Sequence, residues 1–200
     1  MQRGRRLEYF TVTYNSVEGL ASLAAGLYAG SVSLIGFGLD SVIEVASGAA
    51  LLWRLGRDWD ASRRERVERT TLRIVGWCFL ALAAYIAGEA GATLFEREAP
   101  RRSFAGILIA AVSVVVMPCL ARAKRRVAAG IASGALTADS KQADFCAYLS
   151  AIMLAGLLLN ALAGWWWADP AAGLAMVPII AKEGVEGLQG KACCGDCDGG

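Results

Sequence analysis

The chain alternates long apolar stretches with short polar ones, and four of the apolar stretches have the length of a membrane span. A helix needs about 20 predominantly apolar residues to cross a hydrocarbon core about 30 Å thick. The four stretches cover residues 31–55, 72–95, 104–121 and 147–167. Two weaker candidates are 11–29, interrupted by Asn15 and Glu18, and 168–185, whose Pro170 suits the first turn of a helix. The pattern predicts an all-α polytopic membrane protein with a six-helix transmembrane bundle.

The distribution of positive charge supports six spans and predicts their orientation. Arg and Lys concentrate before the first span, between the second and third, between the fourth and fifth, and after the sixth. The connections on the other side carry only Arg97, Arg101 and Arg102. Because cytoplasmic loops carry the excess of Lys and Arg, both termini are expected in the cytoplasm. No secretory signal peptide is evident, because the N-terminal segment shows no small-residue cleavage site.

Composition narrows the function classes. The 200 residues are 56% hydrophobic and carry a net charge of +2, which excludes a strongly basic nucleic-acid binder. The sequence has no histidine, so triads and zinc sites built on histidine are excluded. We expect no enzymatic activity, because the spans show neither a Ser/His nor an HExxH pattern, and we expect no cofactor. The domain prediction is a transmembrane domain over 1–188 and a flexible, Cys-rich cytoplasmic tail over 189–200.

Two acidic residues lie inside the second predicted span. Asp40 and Glu44 are four residues apart, so they project from one helix face. Asp40 lies about 14 Å from the outer end at about 1.5 Å per residue, close to the bilayer midplane. Two stacked carboxylates repel each other unless a cation or a proton lies between them. We interpret the pair as a cation site; the alternative is a pair of buried acids neutralised by a neighbouring arginine. The membrane interior offers almost no such partner, since Lys141 of the fifth predicted helix is the only base expected there.

The fifth predicted helix carries a complementary set of polar residues. Asp139, Gln142 and Cys146 occupy positions i, i+3 and i+7, which share one helix face. Carboxylate and thiolate ligands together suit zinc, cadmium, cobalt or ferrous iron better than magnesium or calcium. The alternative is that Cys146 is a small apolar residue and that Gln142 hydrogen-bonds to another helix.

Weaker candidates lie in the first helix and at the start of the sixth. Asn15 and Glu18, together with Tyr14, form an outer layer of the site or a proton path; the alternative is that they form hydrogen bonds that pack helices. Asp169 is most simply an acid at the start of a helix, where the helix dipole favours negative charge.

The tail contains three cysteines close together, Cys193, Cys194 and Cys197, with Asp196 and Asp198 beside them. Thiols on the cytoplasmic side stay reduced. The cluster could hold a soft metal transiently near the pore entrance. The alternative is an uncoordinated, flexible end.

Several motifs resemble the cation diffusion facilitator family. The sequence Gly-Ser-Val-Ser-Leu at 30–34 followed by Leu-Asp-Ser-Val-Ile-Glu at 39–44 is similar to that family's second helix, a run of small residues ending in Asp-Ser-x-x-Asp. The family's fifth-helix pattern, Ala-Asp-x-x-His-x-x-x-Asp, corresponds to Ala-Asp-x-x-Gln-x-x-x-Cys at 138–146. The Asp-Pro that opens the family's sixth helix stands at 169–170. The resemblance extends over the whole six-helix region.

The resemblance implies efflux of a divalent transition metal, usually zinc, from the cytoplasm in exchange for protons. It places the four ligand positions at Asp40, Glu44, Gln142 and Cys146, three of which depart from the common family residues. The implied partners are the metal ion, protons, the lipid bilayer and a second copy of the chain in a homodimer. The strong arginine asymmetry and short chain favour a bacterial inner membrane. The alternative function is a non-transporting metal sensor or partner subunit that has kept the fold.

Overall fold

The computed structural model of the chain confirms an all-α fold. It describes residues 2–55, 61–97, 99–131 and 134–189. The described segments form six helices, which are α1 (Gln2–Ala29), α2 (Val32–Leu55), α3 (Ala61–Glu96), α4 (Phe104–Ile131), α5 (Gly134–Ala163) and α6 (Ala168–Leu188). Each of the six predicted spans falls within one of these helices, or within one or two residues of its end, except that the fifth prediction runs on to residue 167.

Four of the helices are long and apolar enough to cross a membrane. The qualifying segments are Val32–Ala50, Thr70–Glu96, Phe104–Gly130 and Ser140–Ala163. They belong to α2, α3, α4 and α5, which were also the four strongest predictions from the sequence. α1 and α6 do not meet this criterion, and both carry ionisable residues in their membrane-length portion.

The helices pack most extensively in three pairs, α1 with α2, α3 with α6, and α4 with α5. α2 also contacts α3, α5 and α6, which places it at the centre of the bundle. The apolar core between the pairs includes Phe37, Ile86, Met117, Met153 and Met176, all fully buried. This arrangement brings the acidic face of α2 against α5.

Alternating helix directions define two sides of the bundle. We call the side at which α1 begins and α6 ends the terminal side. The other, which we call the far side, holds the starts of α2, α4 and α6. At the tight turn from α1 to α2, Gly30 adopts a positive φ of 65°, a conformation that glycine reaches without steric cost.

α3 and α6 approach closely because glycines face each other. A Cβ atom added to Gly76 would lie 2.7 Å from the carbonyl oxygen of Gly184 and 3.1 Å from the carbonyl carbon of Gly187. Small residues at helix interfaces allow this close contact. It matters in membranes, where the hydrophobic effect does not drive helices to associate. The facing glycines therefore allow α6 to pack tightly against α3.

Candidate metal site

The first helix turns a polar face toward the bundle and an apolar face outward. Its buried polar residues recur every three or four positions, which is the helical repeat. They are Glu8, Thr11, Asn15, Glu18 and Ser22. From residue 9 onwards, the large exposed residues of the same helix are apolar or aromatic, and they include Tyr9, Phe10, Val17 and Leu20. α1 therefore lines a polar interior while presenting an apolar surface.

The centre of the candidate site is a contact between α2 and α5. Asp40 and Cys146 are both fully buried, and the Cys146 Sγ lies 3.7 Å from the Asp40 Oδ2, to which the thiol donates. The other carboxylate oxygen of Asp40, Oδ1, is buried and has no hydrogen-bond partner among the described residues. An unmatched buried acceptor costs free energy unless a donor or a cation reaches it.

Glu44 lies one turn beyond Asp40 on α2. Asn15 on α1 donates a hydrogen bond from its Nδ2 to the Glu44 Oε2 at 2.6 Å, and the Cys146 thiol also interacts with Glu44. Glu44 and Asn15 border a small cavity of about 10 Å³ together with Gln142. The Nε2 of Gln142 is buried without a hydrogen-bond partner in the described part of the chain. The structure thus brings Asp40, Glu44, Gln142 and Cys146 to one place between α2 and α5.

The remaining predicted site residues lie in parts of the chain whose side chains the structure does not describe. Asp139 belongs to α5, but its side chain is not among those that the structure describes. Cys193, Cys194 and Cys197 lie outside the described residues altogether. Within the ranges that are described, no three Cys, Asp or Glu side chains are arranged to hold a metal ion.

Asn15 and Glu18 both contact α2. Besides the bond from Asn15 to Glu44, the Ser41 hydroxyl lies 3.4 Å from the Glu18 Oε2. Tyr14 reaches α4 instead, with its hydroxyl 3.1 Å from the Ser113 hydroxyl. Asn15 therefore both packs α1 against α2 and contacts one member of the acidic pair, while Glu18 contacts the serine that follows the other member.

The structure buries a base that the sequence places in a connection between two spans. Lys141 is exposed, whereas Lys124 of α4 is 1% exposed and forms an ion pair with Glu8 at 3.6 Å. From the sequence, Lys124 belongs to a cytoplasmic connection rich in arginine, so its burial was missed. The helical repeat could have indicated this burial, because Met117, Leu120, Lys124 and Ala128 recur every three or four residues and all are buried.

At the far side, Asp169 joins α6 to the start of α2. The fully buried Asp169 carboxylate accepts hydrogen bonds from the Ser31 hydroxyl at 2.7 Å, from the Val32 backbone N–H at 3.0 Å and from the Ser33 hydroxyl. Asp169 does lie in the first turn of α6, as expected, but its partners are the first residues of another helix. A carboxylate at the N-terminus of α2 also complements that helix's dipole.

Comparison with known families identifies the whole bundle. A family model described as the cation efflux transmembrane domain matches residues 10–188, from the third turn of α1 to the end of α6. No curated protein sequence matches the chain.

Proposed function

The chain belongs to the cation efflux family and is a metal cation efflux transporter of the membrane; from this premise we propose that its cargo is a divalent transition metal of the zinc type. The observation that carries the proposal is the contact of the buried Asp40 carboxylate with the Cys146 thiol at 3.7 Å. Asp40 keeps a second buried oxygen without a hydrogen-bond partner among the described residues. A carboxylate in such surroundings needs a cation or a proton to be stable.

The proposed ligands are Asp40, Glu44, Gln142 and Cys146. Asp40 and Cys146 already touch, and Glu44 and Gln142 border the same small cavity. To complete the set, Glu44 would turn from Asn15 toward Asp40, and Gln142 would present its amide oxygen. Asn15 would then act as the second-layer group that orients Glu44 between its two positions.

Proton exchange is the proposed driving force. Carboxylate and thiol ligands must lose their protons to bind a metal, so loading releases protons and protonation favours release. Rocking of the helix pairs against one another would expose the site to each side in turn. The excess of Lys and Arg at the terminal side supports placing that side in the cytoplasm.

Metal uptake by reconstituted protein tests this function. In liposomes with an acidic lumen, we expect zinc and cadmium to accumulate and the lumenal pH to rise, because protons leave as cations enter. A zinc-sensitive dye and a pH-sensitive dye in the lumen would follow both fluxes. Magnesium serves as the control cation, since it prefers oxygen ligands alone.

The possible results separate transport from its driving force. Uptake at the same rate without a pH gradient, and with no change of lumenal pH, would refute proton exchange while leaving transport intact. Metal binding without any flux would refute the transporter and favour a sensor or partner subunit.

Cys146 is expected to set the preference among metals. Replacing it with aspartate, the residue at this position in the family pattern, removes the soft ligand and leaves an oxygen donor. We expect Cys146→Asp to lower the affinity for cadmium relative to zinc about tenfold, because soft metals lose most from the loss of sulfur. Equilibrium competition between the two metals on the purified variant would measure the ratio, and an unchanged ratio would place the thiol outside the coordination sphere. Cys119→Ser, at an exposed thiol, is the matched control.

A further inference from the structure

Glu8 and Lys124 form a buried ion pair that the proposed ligand set does not use. The Lys124 Nζ lies 3.6 Å from the Glu8 Oε1, and the two side chains are 1% and 0% exposed. Taking two charges out of water costs free energy that their attraction often fails to recover, so apolar residues of similar volume would serve stability as well or better. A contribution to stability therefore does not explain why a buried ion pair occupies this position.

The ion pair joins two helix pairs near the terminal side. Glu8 belongs to α1, which packs with α2, and Lys124 belongs to α4, which packs with α5. Glu8 precedes Asn15 by about two helical turns, in the direction of the terminal side. The pair therefore links the two halves that hold the proposed ligands, at the end of the bundle where α1 begins.

Lys124 also borders the cavity beside the candidate site. Glu44, Gln142 and Lys124 all line the cavity of about 10 Å³, which has room for about one water molecule. A divalent cation that moved from the terminal side to Glu44 would meet the Lys124 ammonium first. The lysine charge is compact and sits on a flexible stem of four carbons, so the group can swing without moving its helix.

We propose that the Glu8–Lys124 ion pair is the terminal-side gate of the metal path. While the pair is formed, it holds α1 against α4 and its ammonium keeps a positive charge beside Glu44. An entering cation attracts the Glu8 carboxylate, repels Lys124 and parts the pair. The identity of the cargo that passes the gate rests on the proposed function, but closure of the gate can be measured without transport.

Thiol labelling of Cys146 tests the gate directly. Cys78, Cys119 and the three tail cysteines are replaced by serine, so that Cys146 is the only thiol. In nanodiscs, an uncharged, polar methanethiosulfonate should modify it slowly, because the thiol is fully buried. The combination Glu8→Gln with Lys124→Met removes both charges and leaves no unpaired one. We expect it to accelerate labelling about tenfold, a change typical of coupling within one salt-bridge network.

Two further variants distinguish opening of the gate from a general loosening of the helix packing. Exchanging the charges, with Glu8→Lys and Lys124→Glu, rebuilds the pair and should restore slow labelling. Lys182→Met removes the same charge from an exposed pair with Glu186, 3.8 Å away, and should label as the parent does. Labelling of the uncharged combination at the parent rate, or equally fast labelling of the exchanged pair, would overturn the gate. A parent protein that transports no metal would overturn the proposed function and leave the labelling comparison intact.

Discussion

Asp40→Asn is expected to reduce metal uptake into liposomes to the level of protein-free vesicles. The substitution keeps the size of the side chain and its second oxygen, but it removes the negative charge that contacts Cys146. Loss of an outer partner of a metal ligand typically costs about 10- to 100-fold in affinity or activity, so loss of a ligand charge should cost about 100-fold or more. The initial rate of zinc uptake under a pH gradient is the measurement.

Asp144→Asn is the matched control for this prediction. Asp144 is an acid of the same type on α5, but it is partly exposed and pairs with Arg125 at the surface between α4 and α5. Its loss should leave the uptake rate close to that of the unmodified protein, because exposed ion pairs contribute little. If Asp40→Asn transported zinc as fast as Asp144→Asn, the cation path would not pass Asp40.

Asp169→Ala is expected to cause the largest loss of stability. The Asp169 carboxylate accepts three hydrogen bonds in a fully buried setting, from Ser31, Val32 and Ser33. Alanine would leave these three donors without their acceptor and would uncouple α6 from the start of α2. Since hydrogen bonds to charged groups are worth about 1.5–3 kcal/mol each, we expect a loss of about 3 kcal/mol or more. For a chain of this size, this corresponds to a fall of the melting temperature by about 10 °C.

Thermal unfolding in detergent, followed by tryptophan fluorescence, would measure this change. Asp144→Ala again provides the comparison, since it removes an acid from an ion pair at the surface. Asp169→Asn should fall between the two, because the amide retains one acceptor oxygen. A melting temperature for Asp169→Ala equal to that of Asp144→Ala would show that the buried bonds contribute nothing to the bundle.

The helices could be predicted from the sequence, but not all their ends. Apolar runs report the portion of a helix that crosses lipid, so α2 agreed closely with its prediction. α3 begins at Ala61, more than ten residues before its predicted apolar run, and α5 begins at Gly134, five residues before Asp139, the first residue placed on the fifth predicted helix. Those first turns carry polar residues, and a hydropathy pattern does not distinguish a helix that continues into water from a loop.

The candidate site was predictable where a charge interrupts an apolar run. Asp40 and Glu44 stand out in α2 because membrane spans rarely contain acids. Glu8 and Lys124 were missed because both lie close to arginines in the sequence. In such polar segments, a further charged residue does not indicate a buried site. Only the helical repeat of buried positions in α4 distinguishes Lys124 from its exposed neighbour Arg122. Which charge in a basic run faces inward depends on a partner from another helix.

The polar face of α1 has a consequence for how the protein is made. α1 is not among the four helices that are apolar enough to cross a membrane by their own composition, and neither is α6. When α1 emerges from the ribosome, lipid alone offers no hydrogen-bond partner for Asn15 or Glu18. We therefore expect α1 to enter the bilayer as a hairpin with α2, and α6 to insert against α3, which is made before it. Biogenesis would then proceed by pairs, with the acidic interior assembled before any cargo arrives.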